Sequence, residues 1–556
     1  MTSELKLRPP AQMMRLHRLG AMHQCRLSFM RVLLRRMARE AWRFERQAFE
    51  IDAAGVGYAV YTTHGPERAY SLVAFAHDLP DEQRSDRVIA TAWDATFALF
   101  DGVPEENDIA RLAENVPLQE AGRLTAQELS VSRANRSARL WEHVVERLSQ
   151  GMQPDCARLQ EVGYLMRTTA VYGSGKLGAA DRELIADRSE MAAPFQAEML
   201  SIYLTRWFVR DLVEHMARAR NPQAARLDNG LAEHLGIGNS TGLGMAPFLI
   251  NHPQLFNNWM AAREEAIARV RALQTATQEA RSAFAAAYEG AKRTVALWHS
   301  QSPLQQVRLV QLRQDLQQID MALPELMDRS SPWDRLMVWA EDKLSYEGQE
   351  LLASLILEPY GPLVDDLEVR LADDSVDSFR IDGGMHISEL QEALREVYGW
   401  AGDIDWDAPE SVARVWYVSE EKLEPRLGER FEEPVAAYEQ ALAPARDAAW
   451  LAQALTQWPG ETQVAAFLLR HPEHRHQVRR VQIAQRAPYA EIRDNTISAE
   501  MLPIDMLRAK LSFFGVTRFD PRSDRWVRVC MYAGAPYPTE LAPANADHWV
   551  YPGPQA

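Results

Sequence analysis

The stretch GYAVYTTHGPERAYSLVAF at residues 57–75 decides the fold class of this chain of 556 residues. Residues 57–63 and 70–75 are rich in aromatic and β-branched side chains, which favour extended strands. Between them, His64-Gly65-Pro66-Glu67 has the composition of a tight turn. The stretch therefore predicts an antiparallel β-hairpin, and a third strand is expected over residues 88–100.

The segment before the hairpin has a helical pattern and a basic charge. Over residues 12–48, Leu, Met and Phe recur at helical spacing between arginines, which predicts one amphipathic helix. Residues 1–46 hold eleven Lys and Arg against three Glu, a net charge of +8, and the whole chain carries −16, so the remainder carries −24. We expect this helix to dock on the acidic body or on a neighbouring subunit. An anionic-ligand or membrane-surface role is the alternative.

A second helical pattern occupies the middle of the chain. Between residues 253 and 298, small and apolar residues recur near a period of 3.5, which predicts a helix of some 40 residues. Such a helix spans about 60 Å. Ser302-Pro303 is a helix start signal, and leucines continue the spacing as far as Pro324. The pair predicts a long antiparallel helical hairpin, packed on the body or joining two copies in a homo-oligomer.

Together these patterns predict an α+β protein that is predominantly α-helical, with a small antiparallel or mixed sheet and a long antiparallel helical hairpin. A chain of this length exceeds a single core. We predict a basic helix with a small sheet over 1–122, a helical domain over 123–252, the hairpin over 253–330, and an α+β domain over 331–556. A strand expected over residues 525–532 would extend the first sheet.

Composition narrows the cellular setting and the partners. The three cysteines, Cys25, Cys156 and Cys530, are too far apart to suggest a disulfide framework or a zinc knuckle. The N-terminus lacks a signal-peptide pattern, and no run approaches the roughly 18 apolar residues of a membrane helix. The net charge of −16 argues against nonspecific nucleic-acid binding. We therefore expect a soluble cytoplasmic protein with no transmembrane segment and no nucleic-acid partner.

The first candidate for chemistry is the segment at residues 167–181. It contains G-x-G-x-x-G at 173–178, with Arg167 and Lys176 to supply positive charge. Closely spaced glycines let backbone N–H groups approach an anion. A dinucleotide site would require a strand before the glycines and a helix after them, but residues 159–166 have a helical composition. A different anionic-ligand site and a structural turn between helices are the other two interpretations.

The second candidate is the segment at residues 234–247, which has four glycines within nine residues before Pro247. It predicts a flexible loop whose N–H groups face a phosphate or carboxylate at a helix start. The substrate-binding residues expected here are Gly236, Gly238, Asn239 and Thr241. The structural alternative is a tight interdomain turn with Asn239 and Thr241 as helix caps.

The two segments suggest a hypothesis of one shared pocket. Arg167 and Lys176 would clamp an anionic group, and residues 236–244 would cover it. His234, Tyr172 and Asp181 are the nearby candidates for acid–base catalysis.

Two further segments carry residues that could belong to a site. Arg493 lies in a segment dense in charged and apolar residues and is a further candidate for contacting an anionic substrate. The histidine cluster at residues 471–476 is flanked by arginines, which disfavour a bound cation, so no metal site is predicted. The sequence identifies no cofactor.

These features support three functional hypotheses. The first is a cytoplasmic enzyme acting on a small carboxylate or phosphate, with an unspecified reaction. The second is a noncatalytic scaffold or regulatory protein that assembles through its helical hairpin. The third is a dinucleotide-dependent dehydrogenase. The sequence contains no H-E-x-x-H, EF-hand or kinase signature.

Overall fold

A computed structural model confirms the hairpin expected over residues 57–75 and the α+β class. The chain forms two compact units, each assembled from separate segments. The sheet unit comprises residues 22–241, 282–309 and 510–556, and the helical unit comprises residues 1–21, 242–281 and 310–509. The structure describes residues 6–19, 24–80, 92–117, 124–169, 185, 187–242, 253–300, 303–372, 379–412, 416–419, 425–427, 439–493, 510–521, 526–547 and 549–551.

The sheet unit contains a mixed sheet of nine strands, so the prediction of a small sheet was wrong in size. The strands are β1 Arg43–Ile51, β2 Gly57–His64, β3 Ala69–Ala76, β4 Ala95–Asp101, β5 Glu128–Arg136, β6 Tyr164–Thr169, β7 Gly236–Gly242, β11 Thr517–Pro521 and β12 Trp526–Met531. Their order is β1-β2-β3-β4-β5-β6-β7-β12-β11. Strands β1 to β6 pair antiparallel, and β6 pairs parallel with β7. The expected strand over residues 525–532 is β12, and it extends this sheet as predicted.

Helices of the sheet unit cover both faces of the sheet. They are α3 Phe29–Arg39, α4 Glu106–Asn115, α5 Trp141–Ser149, α6 Cys156–Val162, α7 Gln196–Arg220 and α8 Asn229–Glu233. Phe208 of α7 packs edge-on against Phe97 of β4, with ring centroids 5.5 Å apart. On the opposite face, Leu112 of α4 packs with Ala98 and Val131. We call these the α7 face and the α4 face.

The helical unit has its own core and a three-stranded sheet. Its helices are α1 Pro10–Met13, α2 Leu16–Leu19, α9 Pro253–Arg271, α12 Pro332–Lys343, α13 Tyr346–Leu355, α14 Gly361–Val364, α15 Ile387–Tyr398, α16 Pro409–Val412, α17 Pro444–Leu455, α18 Val464–Arg470 and α19 Arg475–Arg486. The small sheet has the order β10-β8-β9, from β8 Trp416–Ser419, β9 Pro425–Leu427 and β10 Glu439–Leu442. One apolar core joins α15, α17, α18 and α19. Two more helices, α10 Gln278–Leu297 and α11 Pro303–Met327, contribute residues to both units.

The prediction of one helix over residues 12–48 was wrong. That segment contains α1, α2 and α3, and residues from Arg43 onward form strand β1. Helix α3 ends where Ala41 adopts a left-handed backbone conformation, with φ of 52°. Strand β1 then pairs with β2 along its length. Pairing with a distant segment has overridden the local helical pattern, as is common for β-structure.

The predicted helix of some 40 residues over 253–298 is two helices, so the long hairpin is not confirmed. Helix α9 ends at Arg271 and α10 begins at Gln278. The Thr277 hydroxyl accepts a hydrogen bond from the backbone N–H of Ala280 at 3.2 Å, and so caps the start of α10. The backbone carbonyl of Gln274 accepts from Ser331 at 2.8 Å, which holds the break in place.

A buried charge cluster ties three segments of the helical unit together. It consists of Arg8, Arg18, Arg263, Glu264 and Glu350, whose exposed fractions range from 1% to 4%. Arg8 donates to Glu264 at 2.7 and 2.8 Å and to Glu350 at 2.9 Å. Arg18 pairs with Glu350 at 3.2 Å, and Arg263 also donates to Glu350. The cluster therefore joins the N-terminal segment to α9 and α13.

Charge pairing overcomes desolvation in this cluster. Burial alone raises the pKa of the Glu350 carboxyl, but the guanidinium groups around it hold that pKa well below its ordinary value. Burial likewise lowers the pKa of Arg8, yet the two glutamates raise it above its ordinary value. Arg8 and Glu350 consequently stay charged, and each depends on its partners in the cluster.

Removing one member of the cluster should destabilise the protein strongly. Glu350→Gln would leave three buried guanidinium groups facing one carboxylate, at a cost of about 3–5 kcal/mol. Guanidinium chloride denaturation would measure the change in unfolding free energy. The control is Asp366→Asn, which removes an exposed partner 2.6 Å from Arg269 and should change stability by roughly 1 kcal/mol or less. Equal effects of the two variants would contradict the structural role of the cluster.

The sheet unit contains a second arginine cluster, centred on Asp547. Arg26 and Arg35 pair with its carboxylate at 3.0 and 3.3 Å, and Arg31 donates to its backbone carbonyl at 3.4 Å. Burial raises the pKa of Asp547, but Arg35, Arg26 and Arg31 outweigh burial and lower the pKa to about 2.

This depressed pKa predicts a specific loss of stability in acid. The contribution of Asp547 is present above the ordinary aspartate pKa and disappears as the pH falls through about 2. Asp547→Asn should cost about 2 kcal/mol at pH 7 and make stability less dependent on pH between about 4 and 2. Denaturation at several pH values would measure this. Asp328→Asn, at an exposed pair with Arg281, is the control and should follow the wild-type pH profile.

Candidate functional site

Strand β6 carries Arg167 and leads into the first glycine-bearing segment. Helix α6 ends at Val162, and Gly163 reverses the chain with a left-handed φ of 78°. The expectation of helix over residues 159–166 was therefore wrong beyond Val162. Left-handed backbone at this point suits glycine because it lacks a Cβ.

Strand β6 is also the point where the sheet changes from antiparallel to parallel pairing. It runs antiparallel to β5 on one side and parallel to β7 on the other. In the parallel pair, Arg167 lies beside Gly238 and Thr168 beside Asn239. The two segments chosen from the sequence thus begin on neighbouring strands, whose carboxyl ends are Thr169 and Gly242. In open α/β sheets, ligands bind outside the carboxyl ends of parallel strands, and β6 and β7 are such a parallel pair.

The second glycine-bearing segment begins as strand β7, so the flexible loop predicted there was wrong for residues 236–242. Its glycines permit close packing. A Cβ on Gly236 would lie 2.2 Å from the carbonyl oxygen of Met531 and 2.7 Å from the sulfur of Cys530. A Cβ on Gly238 would lie 2.7 Å from the ring of Tyr164. Because these two residues have no side chain, the backbone of β12 and the ring of Tyr164 pack directly against β7.

Asn239 and Thr241 also belong to this strand. The Asn239 side chain is 2% exposed, and its amide donates to the carbonyl of Thr168 at 3.1 Å. This side-chain hydrogen bond therefore joins β6 and β7 in addition to the backbone hydrogen bonds between them. The backbone of Thr241 continues β7, so neither residue caps a helix here.

Arg133 and Arg167 project from adjacent strands onto the same face of the sheet. Arg133 is opposite Thr169, and Arg167 is opposite Asn135. Residues directly opposite share a face, and alternate residues along a strand share it too. Since Phe97 of the α7 face is opposite Ser132, the neighbouring Arg133 points to the α4 face.

Arg528 of β12 points to this face from the far side of β7. A Cβ on Gly236 would point toward the Cys530 sulfur, so Cys530 shares the face of Gly236. Arg528 is two residues before Cys530 on the same strand and therefore shares this face too. Gly238, beside Arg167, shares the face of Gly236 by the same alternation. Arg167 and Arg528 are 5% and 8% exposed. We call Arg133, Arg167 and Arg528 the arginine row.

The outer members of the arginine row, Arg133 and Arg528, are not predicted as site residues by the sequence. The guanidinium of Arg133 stacks on the Trp93 ring at 3.9 Å, and burial lowers its pKa from the ordinary value. The alternation Leu129-Ser130-Val131-Ser132 is the one local signal for strand β5. Only the register of neighbouring strands shows that Arg133 joins Arg167.

The structure does not bring His234 together with the carboxyl ends of β6 and β7. His234 follows α8 and precedes β7, so it lies at the amino end of that strand. Six strand steps to Gly242 span about 20 Å. The side chain is half-buried, and burial lowers its pKa, which favours the neutral imidazole.

The remaining predicted site residues lie elsewhere. Arg493 belongs to the helical unit, where it donates to the carbonyl of Glu396 at 3.0 Å and is 6% exposed. Tyr172, Lys176 and Asp181, with the G-x-G-x-x-G motif, are outside the described residues. Within the described ranges, no three His, Cys, Asp or Glu side chains are grouped as a metal site would require.

Replacing the strand glycines tests whether β7 is tightly packed. Gly236→Ala and Gly238→Ala should each lower the unfolding free energy by about 2 kcal/mol or more, because backbone and ring atoms occupy the Cβ position. Gly399→Ala is the control: a Cβ there meets nothing within 4 Å, and its φ of −51° suits alanine. Denaturation curves of the three variants provide the measurement. Wild-type stability of the first two would support a loop instead of this strand.

Comparison with known proteins yields no relative. No family model, no curated protein and no solved structure matches this chain. Among the described helices, none combines the length and apolar character needed to cross a membrane.

Proposed function

We propose that the chain is a cytoplasmic enzyme that acts on a small anionic substrate, a carboxylate or a phosphate, at the carboxyl ends of β6 and β7. The observation that carries this proposal is the arginine row. Arg133 and Arg167 share the α4 face, and Arg528 approaches it from the other side of the glycine-bearing strand.

The electrostatics of the row favour an anion. On strands β5, β6, β7 and β12, the described positions that share this face carry no carboxylate between Val131 and Cys530, whereas Asp520 of β11 lies directly opposite Arg528. Guanidinium groups recognise carboxylate and phosphate through paired N–H donors, and burial strengthens those contacts. Cys530, Gly236 and Gly238 are uncharged, so they would not repel a substrate anion beside Arg167.

The chain that follows both strands supplies the other candidate groups. Tyr172, Lys176 and Asp181 follow the end of β6 at Thr169 by three, seven and twelve residues. Because His234 lies at the amino end of β7, we propose Tyr172 and Asp181 as the acid–base candidates for this site. Arg493 is left out of this proposal, since it belongs to the helical unit.

A dinucleotide-dependent dehydrogenase is the second candidate. One observation favours it: β6 ends at Thr169, four residues before the first glycine of G-x-G-x-x-G, and pairs parallel with β7. The scaffold hypothesis stays an untested alternative, and the single helix expected over residues 253–298 is two helices, α9 and α10.

A thermal-shift screen with matched variants tests both candidates. The probes are phosphate, pyrophosphate, sugar phosphates, coenzyme A esters, small carboxylates and nicotinamide dinucleotides. A ligand at 100 times its dissociation constant should add about 2.7 kcal/mol to the unfolding free energy. Arg133→Gln and Lys176→Ala should abolish this gain, whereas Arg139→Gln, at a partly exposed arginine on the turn after β5, should retain it.

The outcomes separate the hypotheses. Stabilisation by small anions supports the proposed enzyme class, and selective stabilisation by a dinucleotide supports the dehydrogenase. A screen without a hit, or hits that persist in both Arg133→Gln and Lys176→Ala, would overturn the proposed anion site.

A further inference from the structure

Helix α11, Pro303–Met327, carries apolar residues on two opposite sides. The buried side is formed by Leu309, Leu312, Leu316 and Ile319, whose exposed fractions do not exceed 7%. On the other side, Val307, Val310 and Met321 are 67%, 53% and 76% exposed. At about 100° per residue these three lie within an arc of about 60°, nearly opposite the buried side. We call them the α11 stripe, and exposed apolar patches of this kind mark protein–protein contacts.

Two exposed glutamines complete the stripe between Val310 and Met321. Gln314 and Gln317 lie on the same side of α11, so that residues 307, 310, 314, 317 and 321 follow each other at alternating spacings of three and four. This is the spacing of the a and d positions through which helices pair in coiled coils. The five positions span about 21 Å of helix. The exposed side of α11 therefore has the pattern of a helix–helix contact.

The stripe is complementary to itself when two copies of α11 run antiparallel. Met321 of each helix then packs against Val310 of the other, and Gln314 of each lies beside Gln317 of the other, close to the two-fold axis. A side-chain amide both donates and accepts, so the glutamines satisfy one another at the centre of the contact. A contact of this symmetry uses the same surface on both copies and closes as a dimer.

Charged residues beside the stripe favour the antiparallel arrangement over the parallel one. Arg313 and Asp320 are seven residues apart and flank the stripe on one edge; Asp320 is exposed and Arg313 is half-buried. In an antiparallel pair this edge faces itself, which brings Arg313 of each copy beside Asp320 of the other. In a parallel pair the edge would face the one that holds Glu325, and Asp320 would lie beside this second carboxylate. Like charges side by side oppose association, so the parallel pair is disfavoured.

The size of the contact sets the expected strength of association. Five positions on each helix form a small interface, below the roughly 800 Å² that each partner contributes to a standard stable complex. Small interfaces belong to weak and reversible complexes. We therefore expect dissociation in the micromolar range, so that monomer and dimer exchange with protein concentration.

We propose that α11 pairs antiparallel with α11 of a second copy of this chain, which makes the protein a reversible homodimer. The apolar residues, the central glutamines and the flanking charges each find a complementary partner in the same two-fold arrangement. A second copy is therefore the occupant that accounts for all three features of the exposed side. This dimer does not depend on the proposed anion site.

Sedimentation velocity of the full chain, from about 1 to 200 µM, tests whether the dimer forms through this stripe. Val310→Glu and Met321→Glu should each weaken dimerisation by about tenfold or more, because a carboxylate would lose its water in an apolar contact. Val338→Glu is the matched control, since Val338 of α12 is 52% exposed and lies outside the stripe. A monomer at every concentration, or dimerisation unchanged in both Val310→Glu and Met321→Glu, would overturn the proposal.

An exchange of charges tests the antiparallel arrangement. Asp320→Arg should weaken dimerisation by about fivefold, because it places two arginines side by side at both ends of the contact. Adding Arg313→Asp to this variant recreates the opposite-charge pairs and should restore the wild-type dissociation constant. Equal melting temperatures of the dilute proteins would show that unfolding does not cause the changes. If the double variant dimerised no better than Asp320→Arg, the antiparallel arrangement would be wrong.

Discussion

The requirement that a buried guanidinium group be compensated governs much of this structure. Arg31, Arg206 and Arg263 are among its largest fully buried side chains. An isolated buried charge is far more costly than the whole stability of a typical domain permits. Each such arginine therefore needs hydrogen-bond acceptors or carboxylates from another part of the chain. These contacts help to determine which distant segments meet.

The two units meet this requirement in different ways. In the helical unit, Arg8 is compensated by Glu264 and Glu350, at sequence separations of 256 and 342 residues. In the sheet unit, Arg206 donates to the carbonyls of Leu235 and Ala535, each at 2.7 Å, and its guanidinium stacks on Tyr537. Ion pairs and hydrogen bonds to carbonyls each stabilise the buried charge, and Arg206 thereby joins α7 to the residues before β7 and after β12.

The arginine row depends on strands β5, β6, β7 and β12 lying side by side. It places positive charge beside β7, a strand with small side chains, on the face of the sheet that α4 covers. Helix α7 lies between β6 and β7 in the chain and packs on the other face. Helices on both faces therefore support the strands that position the row.

The sequence by itself determined the α+β class, the hairpin of β2 and β3 and the strand β12, because their side-chain patterns are local. It also singled out Arg167 and Asn239, which lie on adjacent strands. The tertiary structure alone decided that residues 43–51 form a strand, that Gly236 and Gly238 are packed inside a sheet, and that Arg133 and Arg528 flank Arg167. A strand is stabilised by partners far away in sequence, so neither its register nor the side chains that share its face are encoded in any single segment.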